Sequence, residues 1–491
     1  MSASDGAASQ EGPAAGRFRR SFWLLLLLTL AGLAPLVHAH VFQAGNDASR
    51  FAQIEALVDF GEGPIDDTRY RWTVDRVIIG SRVYSNKPPL LSLLGAVVYL
   101  GIRTVTGLTF ARNEAAVIYL LNLLLAALPT AWLVARFHGT LVSLWSAHGN
   151  EGGGPGIARS AALVTAALAA GTILTSFSTV LNNHTIAAAC LFAACAAAWS
   201  GGALAAGAWI ALTACIDQVP GLVFAPALAV MVRDLGGRRG LVRYLGALAA
   251  GGLVFVVANL LVTGSPWPPK MVPGASDFSS GMAPSVAGVL LPKDWTYPLA
   301  ALFGWHGFFS VSPVLLFGAA GMVRAARTGV PLRRLWVVLL GAACAVMIAG
   351  HALFVGSYGG WSYGFRYLIP IVPVLLFFTP GVLGAKGRWV FVPILLISCF
   401  TALLGAYHPW PPGHEPETGR HPVASVVTNP IGANLAAWMR QHLPGGGPAD
   451  LAGRLFISAD RQERERYLAL FYASKGDLAM AQRIVDGGLD P

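Results

Sequence analysis

The chain has 491 residues, of which 55% are hydrophobic and only 12% charged, and its mean hydropathy is +0.59. Those values exclude an ordinary soluble domain; long apolar runs along most of the length indicate an all-α polytopic membrane protein. The net charge of +10 does not point to nucleic acid, because Lys and Arg gather in short loops between apolar runs, as the positive-inside rule produces.

Residues 1–20 are small-residue-rich and are expected to form a disordered cytoplasmic tail. The run SFWLLLLLTLAGLAPLVHAH reads as an uncleaved first span rather than a signal peptide, given its long polar lead and the many later spans. The first outer loop, 40–112, is unusually rich in ionisable residues. Asp47 lies there in NDASRFAQIEALVDF, about two turns past the first span. A partly desolvated carboxylate at a membrane boundary favours its neutral form and can act as a base for a hydroxyl. Capping of the helix that follows is an equal reading of the same residue. The polar part of the loop closes with YSNKPPLLSLL, where Pro88-Pro89 suits a helix N-terminus.

Further apolar runs fall near 113–135, 159–177, 185–200, 203–216, 220–232, 241–262, 308–323, 335–355, 368–384 and 388–406. The basic clusters lie around Arg17–Arg20, Arg136 with Arg159, Arg233–Arg243, Arg324–Arg334 and Lys386–Arg388. If 88–106 spans, these clusters fall on both sides of the membrane. If it is interfacial, all fall on one side. KPPLLSLLGAVVYLGIRTV is therefore read as an interfacial or partly inserted helix, leaving about eleven spans, with the N-terminus inside and the C-terminus outside.

Most of the unusual polar residues then share the outer face. LNNHT contributes Asn183 and His184, DQVP contributes Asp217, and SYGGWSYGFRYLIPIVP contributes Tyr363 and Arg366. A lone His is more often structural, but this one faces the same side as Asp47. Asp217 is either a functional acid or part of a helix terminus before Pro220. Arg366, among aromatics and Gly359, Gly360 and Gly364, suits a phosphate held at the interface, and Trp361 adds to that belt. Lys87 is a second such cation, or a snorkelling anchor. His306 in FGWHGFFS is a candidate without an assigned role. The five cysteines lie in apolar runs without paired spacing and read as packing residues. P-loop, dinucleotide, HExxH and nucleophile-elbow motifs are missing, which removes support for ATP-driven transport and soluble-type hydrolysis. The segment 407–491 is expected to form an extracytoplasmic helical tail, with one weakly tetratricopeptide-like hairpin broken at Lys475-Gly476-Asp477. One such unit cannot bury its own face, so it packs on the membrane domain or on a protein partner.

The Asp47 loop, TVDRVIIGSRVYSNKPPLLSLLGAVVY, LNNHT, ALTACIDQVPG, HGFFSVSPVLLFG and YGGWSYGFRYLIPIVP together resemble, in order and spacing over roughly 20–406, the GT-C class of membrane glycosyltransferases. The branch is the one of protein O-mannosyltransferases and lipid A aminoarabinose transferases. The resemblance implies a GT-C-like bundle over 21–406 with interfacial helices in its first outer loop. It also implies an enzyme of a bacterial-type plasma membrane, its active site extracytoplasmic. That enzyme would move a sugar from a polyprenyl-phosphate donor to a hydroxyl on a protein, lipid or glycan. Carried over by position, Asp47 becomes the base and His184 the second polar residue. Lys87 and Arg366 become phosphate contacts, with Asn86, Asn183 and Tyr363 as further substrate contacts. No cofactor and no metal ligand set is implied by these residues, although a divalent metal is not excluded. The chain departs from its relatives where many carry two acids, here Asn46-Asp47, and where many carry Asp, here His184. The rival readings are a transporter or flippase for a lipid-linked or small polar solute and a non-catalytic scaffold.

Overall fold

The structure is a computed structural model and describes residues 13–42, 46–147, 155–277, 296–354, 362–412, 429–443 and 446–487. Expectations for residues 1–12, Gly359, Gly360 and Trp361 lie outside these. Helix α1 (Pro13–Leu33) begins inside the segment read as a disordered tail. Its Trp23, Leu24, Leu27 and Leu28 face outward, as a lipid-exposed span requires. The first outer loop holds α2 (Asn46–Glu55), β1 (Arg76–Ile79), β2 (Arg82–Ser85) and α3 (Pro89–Thr106). Helices α4 (Phe110–Asn122) and α5 (Leu128–Ser146) follow as one rod through a π-turn at Leu123–Ala127. Then come α6 (Pro155–Ala170), α7 (Ile173–Phe177), α8 (Asn183–Trp199), α9 (Ala203–Ile216), α10 (Gln218–Thr263), β3 (Ser276–Asp277), α11 (Thr296–Phe303) and α12 (Phe308–Val311). The bundle ends with α13 (Leu315–Thr328), α14 (Arg334–Phe354), α15 (Val372–Leu376) and α16 (Ala385–Tyr407).

Among the described residues, seven helices are long and apolar enough to cross a membrane, or eight if the bent pair Tyr297–Val311 and Leu315–Thr328 is one span. Shorter apolar helices at 183–199, 203–216 and 366–376 pack among them. The chain is an integral membrane protein. Helix α10 is two helices folded back at Gly237, whose φ of 58° only glycine adopts freely. Tyr244 Oη donates to Ala225 O at 2.8 Å across the two arms. The arginines 233, 238, 239 and 243 surround this reversal.

Helix α3 is long and apolar enough to span, yet both its ends lie at one end of the bundle. Its N-terminus follows Lys87. Its C-terminus leads into α4, where Tyr119 Oη donates to Ala34 O at the end of α1 and Asn122 Nδ2 donates to His38 O. The first turns of α4 therefore project past the end of α1, and α3 ends out there with them.

The loop also folds a small sheet that the all-helical reading did not contain. Strands β2, β1 and β3 pair antiparallel in that order, with Val77 opposite Tyr84 on one side and Asp277 on the other. Ser49 Oγ donates to Asp75 O at 2.6 Å and lies 2.7 Å from Ser85 Oγ, which locks this hairpin onto α2. The tail helices α17 (Pro430–His442), α18 (Gly447–Phe456), α19 (Arg461–Ser474) and α20 (Leu478–Gly487) bury Ala437, Leu468, Phe471 and Ile484 among themselves. They dock on the end of α16, where Asn434 Nδ2 donates to Leu404 O and His408 O.

Candidate functional site

A cavity of about 270 Å³ opens where α2, the end of β2, α8, α9, α10, α14 and the loop around Arg366 converge. Two of the long apolar helices, α10 and α14, reach it with the ends opposite their basic clusters. Helix α14 starts at Arg334 and arrives with His351, and α10 turns at its arginines and brings both its ends to the cavity.

Four cations line or edge the cavity: Arg50, Lys87, Lys270 and Arg366. Arg50 is fully buried; its Nη2 donates to Asn183 Oδ1 at 3.1 Å, while Nε and Nη1 have no hydrogen-bond partner among the described residues. Burial lowers its pKa to about 10, so it stays charged at neutral pH. Lys87 Nζ lies 2.7 Å from Asp75 Oδ2. Burial pulls the Lys87 ammonium down to about 8 against the opposing pull of Asp75. Burial alone would raise the Asp75 carboxyl, but Lys87 overrides it and holds it below its ordinary value. Arg366 is buried, and its Nε has no hydrogen-bond partner among the described residues. Among the described residues no carboxylate pairs with Arg50 or Arg366. A buried cation without an anion is unfavourable by several kcal/mol, on the order of 3–5, so the cavity is built to receive a negative charge.

The same cavity carries a dyad. His184 Nδ1 lies 2.6 Å from Asp217 Oδ2. Asn182 caps α8 by accepting from Thr185 N, which sets the next two side chains, Asn183 and His184, at the helix mouth. Asp217 sits between α9 and α10 and makes no capping bond of its own, so its carboxylate is available to His184. A carboxylate at Nδ1 fixes the proton there and leaves Nε2 as the basic nitrogen. Tyr367 stands edge-on to His184 at 5.3 Å and stacks on His351 at 5.2 Å.

Of the residues expected from sequence, Lys87, Asn86, Asn183, His184 and Arg366 line this one cavity. Asp47 does not. It occupies the first turn of α2 with Oδ2 accepting from Phe42 N at 3.0 Å and Oδ1 from Ala48 N at 2.9 Å. Burial, opposed by those bonds, raises its pKa to about 7. Asn46 and Arg50, four residues apart, share the helix face that lines the cavity, and Asp47 is turned about 100° from Asn46. Tyr363, expected as a substrate contact, is not among the residues lining the cavity: it is wholly buried, and its Oη donates to Thr401 O at 2.6 Å. His306 braces the Arg366 loop, its Nδ1 lying 3.0 Å from Ser362 O. Arg50 and Lys270 carry no assignment from the sequence. Arg50 was visible as the residue one helical turn from Asn46. Lys270 had no local signal. Among the described residues no group of three or more His, Cys, Asp or Glu is arranged to hold a metal.

No family model and no curated protein sequence matches the chain. Among solved structures it is similar to ArnT from Cupriavidus metallidurans bound to undecaprenyl phosphate, at 14% identity and a TM-score of 0.46, over 96% of this chain and 78% of that one. The apo state of the same ArnT gives 16% identity and 0.46 over the same shares. The Archaeoglobus fulgidus oligosaccharyltransferase, tethered to an acceptor peptide containing the NVT sequon, gives 14% and 0.46 over 88% of this chain and 58% of that one.

Proposed function

We propose that this chain is a membrane glycosyltransferase that moves a sugar from a polyprenyl phosphate to a hydroxyl acceptor at the extracytoplasmic face. The observation that carries the reading is the pairing of a fully buried, anion-less Arg50 with the His184–Asp217 dyad across one cavity. The cations suit a phosphate. The amides of Asn46, Asn86 and Asn183 suit a hydroxyl-rich ligand, because each offers both donors and an acceptor. The rim at Pro268–Met271 has exposed Trp267 and Met271 beside the end of α10, whose Leu253, Val257 and Leu261 face outward. An apolar chain can thus stay in the bilayer while its phosphate enters. The basic clusters at the far ends of α10 and α14 support an extracytoplasmic position for the cavity.

In this reaction the acceptor O–H gives its proton to His184 Nε2 as the acceptor oxygen bonds to the anomeric carbon. The bond from that carbon to the phosphate oxygen breaks, and the polyprenyl phosphate leaves with one additional negative charge. Arg50, Lys87 and Arg366 meet that charge, and Lys270 raises the local potential. Asp217 orients His184 and stabilises its cation. The base role falls here to the dyad, and Asp47 holds the start of α2 against the chain at Phe42.

Purified protein in lipid nanodiscs, given polyprenyl-phosphate sugars, should release or transfer sugar. D217N should lower turnover about 10²–10⁴-fold without loss of fold. D47N should retain most activity in whatever fraction folds. Full activity of D217N, or abolition by D47N in folded protein, would return the base to Asp47. No turnover of any polyprenyl-phosphate sugar would remove the proposal.

A further inference from the structure

Arg366 is a buried guanidinium that no carboxylate among the described residues holds in place. Its carbon lies 4.7 Å from the ring centre of Trp410 and 5.2 Å from that of Tyr367. Trp410 is wholly buried and packs edge-on against Phe177 at 4.9 Å. It belongs to the segment after α16 that leads into the tail. That segment is tied on both sides. Pro409 O accepts from Tyr363 N at 3.0 Å, three residues before Arg366. On the tail side, His408 Nε2 lies 2.9 Å from Ser474 Oγ, and Tyr467 Oη donates to Pro412 O at 3.1 Å.

An aromatic face and a carboxylate do different things to an arginine. A carboxylate would satisfy the guanidinium but would also neutralise it and occupy its in-plane N–H groups. A ring attracts the cation through its face and leaves those donors and the full charge available. The unpartnered Nε of Arg366 is what such a holder leaves behind.

We infer that Trp410 is a positioning residue for Arg366, so that the linker to the C-terminal tail forms part of the anion site. This rests on the proposed polyprenyl-phosphate site and adds to it a residue outside the 21–406 bundle. Removing the ring lets the guanidinium swing or lose its orientation, and phosphate affinity falls although no residue that touches phosphate has changed.

The test is binding of a polyprenyl phosphate, against the uncharged polyprenol, to full-length protein in nanodiscs. W410L should weaken phosphate binding by about 5–30-fold, the range of a desolvated cation–π contact, and leave polyprenol binding unchanged. W410Y and W410F keep a ring in the core and should give a graded loss, Phe greater than Tyr, so the inference is testable even if W410L does not fold. In an R366M background the same Trp410 substitutions should have no further effect. Wild-type protein that does not prefer the phosphate to the polyprenol overturns the site itself. Wild-type preference with unchanged W410F and W410Y affinity, or with equal losses in the R366M background, overturns the role of Trp410 alone.

Discussion

Replacing Arg50 separates a functional cation from a structural one, because the two roles predict opposite signs. Two of its nitrogens are buried without partners. Each such donor is unfavourable by about 1–3 kcal/mol, roughly 2–6 kcal/mol together, partly offset by attraction to Asp75 and Asp217. Arg50→Met keeps most of the side-chain length and removes the charge. Ligand-free protein should therefore gain stability, by about 1–3 kcal/mol. The same change removes two charge-assisted bonds to phosphate, about 1.5–3 kcal/mol each, which is roughly 10²–10⁴-fold in affinity. The assay is thermal unfolding at a fixed scan rate with and without a polyprenyl phosphate. At 100 times its Kd the ligand should stabilise wild type by about 2.7 kcal/mol and leave R50M unmoved. A destabilised R50M that still responds to the lipid phosphate would refute the reasoning, because Arg50 would then be a structural residue.

Two pH dependences follow from the same burial arguments. Lys87 must be protonated to meet phosphate, and in the free enzyme burial holds it at about 8; kcat/KM should therefore fall as pH rises through about 8. Asp75 favours the charged lysine, so D75N should move that fall to lower pH by on the order of one unit, and a limb that stays put would show that Lys87 is not the titrating group. The tail should undock in acid. Burial holds His40 at about 4 and His408 well below its ordinary value, with Lys475 opposing their protonation. Lys475 itself lies over Tyr407 at 4.2 Å, and Asp477 is the acid that opposes it. A histidine whose docked pKa is depressed favours docking fully above about 6.5 and progressively less below it. At pH 5 His40 contributes a loss of about 30-fold, and His408 adds to it in the same direction. Hydrogen exchange of 429–487 should rise between pH 7.5 and 5, and H40F/H408F should abolish the rise; equal exchange at both pH values would refute it.

Much of this site was legible because it sits beside strong punctuation. Lys87 precedes a Pro-Pro helix start, His184 follows an Asn cap, and Arg366 begins an apolar run. Each is placed by a local rule, and the charge parity of the loops gathers them on one face. The misplacements have local geometric causes. Asp47 and Arg50 lie in one helical turn, and without knowing which face of α2 is covered, the acid looks as well placed as the cation. Tyr363 precedes Arg366 by three residues, but the chain bends at Tyr363 and Gly364 before the 3-10 helix that begins at Arg366, and the phenol ends in the core against Thr401. Lys270 reaches the cavity on a loop whose neighbouring strand β3 pairs with β1, nearly two hundred residues earlier, and no periodicity near it encodes that pairing.

The position of the polar groups along the bundle weighs against transport. A second cavity of about 250 Å³ lies at the other end, lined by Arg136, Thr140, Ser143 and the end of α8 at Trp199. Helix α8 joins the two, with His184 at one and Trp199 at the other. Between them Ile186–Ala198 is wholly apolar and buried, some 18 Å of packed helix with Ala at most positions. A polar solute crossing along it would have to separate Phe137 from Phe192 and Trp199 from Phe377, ring pairs 5.1 and 4.5 Å apart. A transporter concentrates its polar residues near mid-membrane, where the solute must be held from both sides. Here the cations, the amides and the dyad all stand at one end, above an apolar plug. That arrangement suits a substrate that arrives laterally, reacts at the surface and leaves by the side from which it came.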